Sequence, residues 1–68
     1  MAVTRWSALA LAEMRSVENG LPAATAGVIR IRARQIAAEA GRSQVEREDV
    51  RNAVADHFGG RDDSEEAE

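Results

Sequence analysis

Apolar residues recur at helical spacing in the first part of the chain. Steps of four, four and three residues bring one set to a single helical face: Trp6, Ala10, Met14 and Val17. Ser7 is a good N-cap residue, and the spacing of Trp6 and Leu11 matches a hydrophobic staple. The turn-forming pair Asn19-Gly20 predicts the end of this first helix. The pattern leaves two alternatives for residues 18–21, an extension of the helix or a loop.

A second helix is predicted between Pro22, a favourable first helical residue, and Gly41, a favourable C′ residue. At about 100° per residue, its core-facing stripe consists of Ile29, Ala33, Ile36, Ala37 and Ala40. A smaller stripe lies on the opposite side and consists of Ala24, Gly27, Ile31 and Ala38. Small residues around one exposed isoleucine form either an interaction surface for a partner helix or a low-profile solvent surface.

A third helix is predicted after a short extended link, residues 42–45. Acidic residues are concentrated in its first turn, where the helix dipole favours negative charge: Glu46, Glu48 and Asp49. Its predicted buried face consists of Val50, Ala53, Val54 and His57, with Phe58 closing the core. The expected fold class is therefore all-α. We predict a small three-helix domain over residues 1–60 (helix–turn–helix–short extended link–helix) and a disordered acidic C-terminal tail over residues 61–68.

The composition limits what such a domain can contain. The chain has 68 residues, the size of one small domain, and no cysteine for a disulfide or a thiolate metal site. The net charge is −3, but the last eight residues, from Arg61 to Glu68, carry −4, so the first sixty carry +1. No apolar run approaches the roughly 20 residues of a membrane span, and the N-terminal residues lack a signal-peptide pattern. We therefore expect a cytoplasmic protein without membrane contact.

Candidate catalytic residues are few. His57 is the one imidazole in the sequence, and no second histidine or cysteine can complete a zinc site with it. The five glycines form no phosphate-binding motif, and the serines match no nucleophile-elbow pattern. We expect a protein that is not an enzyme by itself and that holds no cofactor and no metal.

Every basic residue is an arginine, and several can contribute to one basic surface. Arg30 and Arg34 lie one helical turn apart, and with Arg42 they are the candidate phosphate contacts. Nearby carboxylates favour the alternative, a solvated face with ion pairs inside the chain. One pair is predicted to be structural, because Arg42 in the link can bridge to Asp49 in the third helix. We expect an exposed pair, so that Arg42→Ala loosens the link without unfolding the domain.

The residues at the helix boundaries and on the packed faces of the three helices follow a recognisable order: Trp6, Ser7, Ala10, Met14, Val17, Pro22, Ile29, Arg30, Arg32, Ala37, Glu39, Gly41, Val45, Glu48, Asp49, Val50 and Ala53. This order resembles the protochlorophyllide-reductase C-terminal helical domain over roughly residues 6 to 53. That family's pattern runs W-T/S-x-x-A-x-x-x-L-x-x-I/V-P, then an Arg-rich helix with A-x-E-x-G, then I/V-T-x-E-D-V-x-x-A. The chain departs from it by an insertion of residues 18–21 and by Glu46 in place of a threonine helix cap.

This family occurs at the end of one of the subunits of the light-independent protochlorophyllide reductase and as freestanding small bacterial proteins. The resemblance implies a small accessory or docking domain in or near a nitrogenase-like reductase. Because the chain has no cysteine, it cannot hold an iron–sulfur cluster through the usual thiolate ligands.

A second resemblance covers only the later part of the chain: Ala40, Gly41, Arg42, Val45, Glu48, Asp49, Val50, Ala53 and Val54. These residues are similar to the second half of an archaeal-type histone fold, including the spacing of its link-to-helix ion pair. This similarity implies a small DNA-binding protein that uses Arg30, Arg34 and Arg42 on phosphates. The histone central helix has about seven to eight turns, whereas the helix predicted between Pro22 and Gly41 has about five turns. We therefore favour an interaction module, acting through a partner protein or by self-association, over the DNA-binding alternative.

Overall fold

The computed structural model describes residues 5–59, which form three helices and two short strands. In chain order the elements are β1 (Arg5–Trp6), α1 (Ala8–Gly20), α2 (Ala23–Glu39), β2 (Gln44–Val45) and α3 (Arg47–Phe58). The predicted all-α class is confirmed for this part of the chain. The predicted acidic tail, residues 61–68, lies outside the described residues.

The first helix begins as the sequence predicts. Ser7 has an extended backbone, and its hydroxyl oxygen accepts a hydrogen bond from the Ala10 N–H at 3.1 Å. This bond satisfies one of the N–H groups that a helix N-terminus leaves without a partner. Ala10 and Met14 are buried, and Trp6 and Val17 pack against the same core. The predicted apolar face of α1 is therefore confirmed.

A two-residue connection, Leu21 and Pro22, separates α1 from α2. Residues 18–20 extend the helix, because α1 continues through Gly20 and Leu21 is its extended C-cap. A residue before proline is kept out of the helical region by contact with the proline ring, which explains the end of α1. Pro22 is the N-cap of α2 rather than its first helical residue, because its ψ of 151° is extended. Its carbonyl accepts a hydrogen bond from the Ala26 N–H at 2.9 Å.

The second helix contributes more fully buried apolar residues than any other described element: Ala26, Ile29, Ala33 and Ala37. Ile36 is partly buried against the same core. The predicted stripe omits Ala26 and wrongly includes Ala40, which is exposed. Ala40 is the C-cap of α2, so the chain is already leaving the helix at this residue. The helical period therefore does not carry Ala40 into the core.

Gly41 ends the second helix in the predicted way. Its φ of 78° lies in the left-handed region, which glycine adopts without a Cβ clash. The Gly41 N–H donates to the Ala38 carbonyl and the Arg42 N–H donates to the Ala37 carbonyl, each at 3.0 Å. These two bonds form a Schellman motif and direct the chain into β2.

The extended link before α3 pairs with the start of the described chain. β1 and β2 are parallel, with Arg5 opposite Gln44 and Trp6 opposite Val45. The Ser7 N–H donates to the Val45 carbonyl at 3.0 Å, and Val45 is fully buried. The sequence predicts an extended link but not its partner, because a two-residue strand has no periodicity to detect.

The last turn of α3 differs from the prediction. The first members of its predicted buried face are buried or partly buried: Val50, Ala53 and Val54. His57 and Phe58 are exposed, contrary to the prediction. His57 lines an open recess beside the exposed Val28, so the core does not reach this end of the helix. The Phe58 ring packs edge-on against the His57 ring, with centroids 4.7 Å apart.

Candidate functional site

The described residues bury few large apolar side chains. Five of the nine fully buried apolar residues are alanines, and the other four are Met14, Ile29, Val45 and Val50. Five large apolar side chains are instead about half exposed or more: Leu9, Leu11, Val28, Ile31 and Phe58. Scattered exposed apolar residues are ordinary, but an apolar set on one helix face indicates a surface suited to contact with another molecule.

Two of these side chains, Val28 and Ile31, share one side of α2. We define the outer face of α2 by five exposed residues at steps of four, three, four and three: Ala24, Val28, Ile31, Gln35 and Ala38. At 100° per residue, this face points away from the buried residues of α2. Ala24, Ile31 and Ala38 belong to the predicted interaction stripe, whose fourth member, Gly27, is half-buried beside the outer face.

The predicted stripe omits Val28, a residue that is 52% exposed. A signal for Val28 is present in the sequence, because the alternation of four- and three-residue steps through Ala24, Val28 and Ile31 is that of a helix-pairing seam. Valine is not a small residue, so a stripe defined by small residues around Ile31 omits Val28.

A recess lies on each side of the outer face. One recess, of about 610 Å³ between the end of α1 and the start of α2, is lined by Glu18, Ala23, Ala26, Gly27, Arg30 and Ile31. The other, of about 420 Å³ between α2 and α3, is lined by Val28, Ile29, Arg32, Ala53, Asp56 and His57. Ile31 and Val28 therefore each form part of the wall of an open recess, which side chains of another molecule can enter.

Ion pairs border both recesses. Arg30 pairs with Glu18 and joins α2 to α1. Arg32 Nε donates to Asp56 Oδ2 at 2.9 Å and joins α2 to α3. Exposed pairs of this kind contribute only about 0–1 kcal/mol to folding. Their main effect is to give the apolar outer face a polar border.

Among residues 5–59, no close packing contact explains why position 27 is a glycine. A Cβ added to Gly27 meets no atom within 4 Å, and its φ is not in the left-handed region. A glycine inside a helix costs about 0.5–1 kcal/mol relative to alanine. Gly27 therefore leaves backbone accessible at the border of the outer face without a benefit to the fold of the described residues.

The three candidate phosphate contacts do not form one cluster of unpaired cations. Arg30 pairs with Glu18 of α1, whereas Arg42 pairs with Asp49 and, at 3.7 Å, with Glu48 of α3. Arg34 is half-buried on α2 and also has an interaction partner. Two of the three guanidinium groups thus face carboxylates on different helices, which weakens their attraction for phosphate.

The ion pair between Arg42 and Asp49 is present, but it is not the exposed pair that the sequence predicts. The side chain of Asp49 is fully buried, and that of Arg42 is 33% exposed. Asp49 Oδ1 accepts from Arg42, and Asp49 Oδ2 accepts from the Glu46 N–H at 2.8 Å. The hydrogen bond with Asp49 raises the pKa of Arg42 above its ordinary value, although burial acts to lower it. Asp49 therefore joins the extended link to the first turn of α3.

Residues 5–59 contain no cluster of metal-ligating side chains and no membrane-spanning helix. This part of the chain has no group of three or more histidine, aspartate or glutamate residues that could hold a metal ion. None of its helices is long and apolar enough to cross a membrane. No family model, no curated protein and no solved structure matches this chain.

Proposed function

We propose that this protein is a small non-enzymatic interaction module that acts through the outer face of α2. It docks onto a partner protein or associates with itself, and it needs no cofactor. The observation that carries the proposal is the exposure of Val28 and Ile31, 52% and 55%, on one face of a helix whose other side forms the core.

The energetics support an interaction at this face. Full burial of a valine or isoleucine side chain contributes about 1.5–3 kcal/mol, so the two half-exposed side chains retain a useful part of that free energy for binding. The two alanines of the outer face, Ala24 and Ala38, let a partner helix come close because they add little side-chain volume. The ion pairs at the border supply the polar rim that surrounds the apolar centre of a typical interface.

The resemblance to the protochlorophyllide-reductase C-terminal helical domain supports the same class of function. On that basis we propose an accessory role near a nitrogenase-like reductase. The residues that carry the resemblance include Pro22, Gly41 and Asp49, each of which sets a boundary or junction of a described helix.

The test is a matched pair of charge substitutions. Ile31→Glu places a charge in the centre of the outer face, whereas Leu9→Glu places one on α1 at a side chain that is 61% exposed. Binding to the purified subunits of a light-independent protochlorophyllide reductase should weaken at least about tenfold for Ile31→Glu and change little for Leu9→Glu. Equal losses for both variants would contradict the assignment of the outer face.

A DNA-binding function is the second candidate, favoured by the Arg42–Asp49 pair between the link and α3. The test is a titration of duplex DNA by fluorescence anisotropy at about 50 and 200 mM salt, because neutralising several phosphates makes affinity fall by orders of magnitude between those conditions. Tight binding with that steep loss would favour the DNA-binding function over the interaction module. Absence of binding at both salt concentrations would exclude it.

A further inference from the structure

The outer face of α2 has the spacing of a helix-pairing seam. Its members follow one another by four, three, four and three residues: Ala24, Val28, Ile31, Gln35 and Ala38. An average step of 3.5 residues is the spacing that keeps an apolar seam facing a second helix along its length. The matching partner is therefore a helix with the same repeat, lying nearly parallel or antiparallel to α2.

The surroundings of the seam leave room for such a helix. The buried side of α2 packs on the core, and the outer face lies opposite to it. Val28 and Ile31 are the largest apolar residues of the seam and border the two open recesses. Gly27 adds no side chain beside them, so the backbone of α2 is accessible there.

The charges that flank the seam complement a second copy of the same helix. Arg34 precedes Glu39 by five residues, and these two positions face each other across a pair of parallel helices in the same register. Each α2 pair thus places Arg34 of one copy opposite Glu39 of the other, twice by symmetry. Glu39 is well exposed, with 69% of its side chain accessible, and its contact to Arg32 is a long one of 3.9 Å.

The antiparallel arrangement is less favourable for two copies. With the seams fully overlapped, it brings Arg32 near Arg32 of the second copy and leaves Arg34 opposite Gly27, which carries no charge. Like charges across a helix pair are destabilising, so the charge pattern selects the parallel arrangement.

We propose that a second copy of this chain covers the outer face, as a parallel pair of α2 helices related by twofold symmetry. The proposal rests on the interaction module proposed above and specifies its partner. Gln35 lies within the seam, where the two amides can hydrogen-bond to each other and fix the register at some loss of stability.

The pair should be weak and reversible. α2 has 17 residues, about 25 Å of helix, so two copies bury less than the roughly 1,200 Å² of a standard stable interface. The helix is already ordered within its own domain, so dimerisation does not have to supply the free energy of folding it. We expect a dissociation constant on the order of 100 µM.

Sedimentation velocity of the full chain tests self-association. Between about 10 µM and 1 mM the weight-average sedimentation coefficient should rise from that of a monomer towards that of a dimer. Ile31→Glu should remain monomeric, with an unchanged circular dichroism spectrum, whereas Leu9→Glu should dimerise like the parent chain. A parent chain that stays monomeric at about 1 mM would overturn the proposal.

Single cysteines test the orientation, because the chain has none of its own. In a parallel pair Ala24→Cys lies beside its counterpart in the second copy, so oxidation should cross-link a large fraction of the chains. Ala12→Cys, also at an exposed alanine but on α1, is the control for random collisions and should cross-link much less. Equal cross-linking of the two variants would overturn the parallel pair.

A photoreactive side chain at position 31 separates failure of this proposal from failure of the proposed function. An adduct between two copies of the chain supports the second copy as partner. An adduct only with a different protein overturns the second copy but leaves the interaction module standing. Absence of any adduct, in cells that express the protein, overturns both.

Discussion

Asp49 is the one fully buried charged residue among residues 5–59, unlike an ordinary surface carboxylate. It is fully buried, and its two oxygens accept hydrogen bonds from the Arg42 guanidinium and the Glu46 N–H. A buried charge is tolerated when it is paired and hydrogen-bonded, and removal of a partner leaves the other group uncompensated. Asp49 thus connects the link to the first turn of α3 through both of its oxygens.

The first prediction concerns this carboxylate. Asp49→Asn keeps the shape and one acceptor but removes the charge that pairs with Arg42, so it should destabilise the protein by about 1–3 kcal/mol, or roughly 5–15 °C in Tm. Glu48→Gln is the matched control, because Glu48 contacts the same arginine at 3.7 Å with 69% of its side chain exposed. It should change Tm by only about 1–3 °C. Thermal unfolding followed by circular dichroism measures both, and similar Tm values for the two variants would contradict the role of Asp49.

Two glycines provide a second prediction, because their backbones differ. Gly27→Ala should stabilise the monomer by about 0.5–1 kcal/mol, since the site has room for a Cβ and alanine favours the helix. Gly41→Ala should destabilise it by about 1 kcal/mol, since Gly41 has a φ of 78°. Urea unfolding at low protein concentration measures both changes, and a loss of stability for Gly27→Ala would show that the glycine serves the fold.

At the level of elements, the positions of the helices follow from local signals in the sequence. The Ser7 cap, the Pro22 junction and the left-handed Gly41 each mark a boundary by a property of one residue, and the structure places boundaries at all three. The pairing of β1 with β2 was not predictable in this way. It joins residues about forty positions apart through main-chain bonds, and main-chain bonds carry no residue signal.

The wrong predictions of burial also have a cause that lies outside local sequence signals. His57 lies at the predicted helical angle for the core, but whether a side chain is covered depends on which element lies opposite it. Helical angle also does not distinguish a buried Asp49 from an exposed one, because an acidic first turn is equally typical of a solvated helix end. In the candidate site, the helical period predicted Ala24, Ile31 and Ala38. Val28 is indicated instead by the alternating steps of four and three residues along the outer face.

The third prediction concerns the start of α1. Ser7→Ala removes the acceptor for the Ala10 N–H and should destabilise the protein by about 1 kcal/mol, because the N–H loses its partner. Ser16→Ala is the control on the exposed side of the same helix, where alanine should be neutral or slightly stabilising. Unfolding by urea compares the two, and equal midpoints would contradict the capping role.

At the level of the whole molecule, the described chain has a core made largely of alanine and a surface that displays larger apolar side chains. Alanine lets helices pack closely but contributes little apolar area, so a small domain of this kind has a modest hydrophobic contribution to folding. The proposed association at the outer face would add buried apolar area that the isolated chain lacks. Stability should therefore increase with protein concentration if the second copy is the partner.

The central claim is that a second copy of this chain binds at the outer face of α2. The most direct measurement is a dilution series of ¹H–¹⁵N correlation spectra of the full chain, from about 1 mM to 20 µM, a range that spans the expected dissociation constant. We expect concentration-dependent shifts at Ala24, Val28, Ile31, Gln35 and Ala38, and constant peak positions at Leu9 and Leu11. Shifts confined to α1, or no shifts at any residue, would contradict self-association through the outer face.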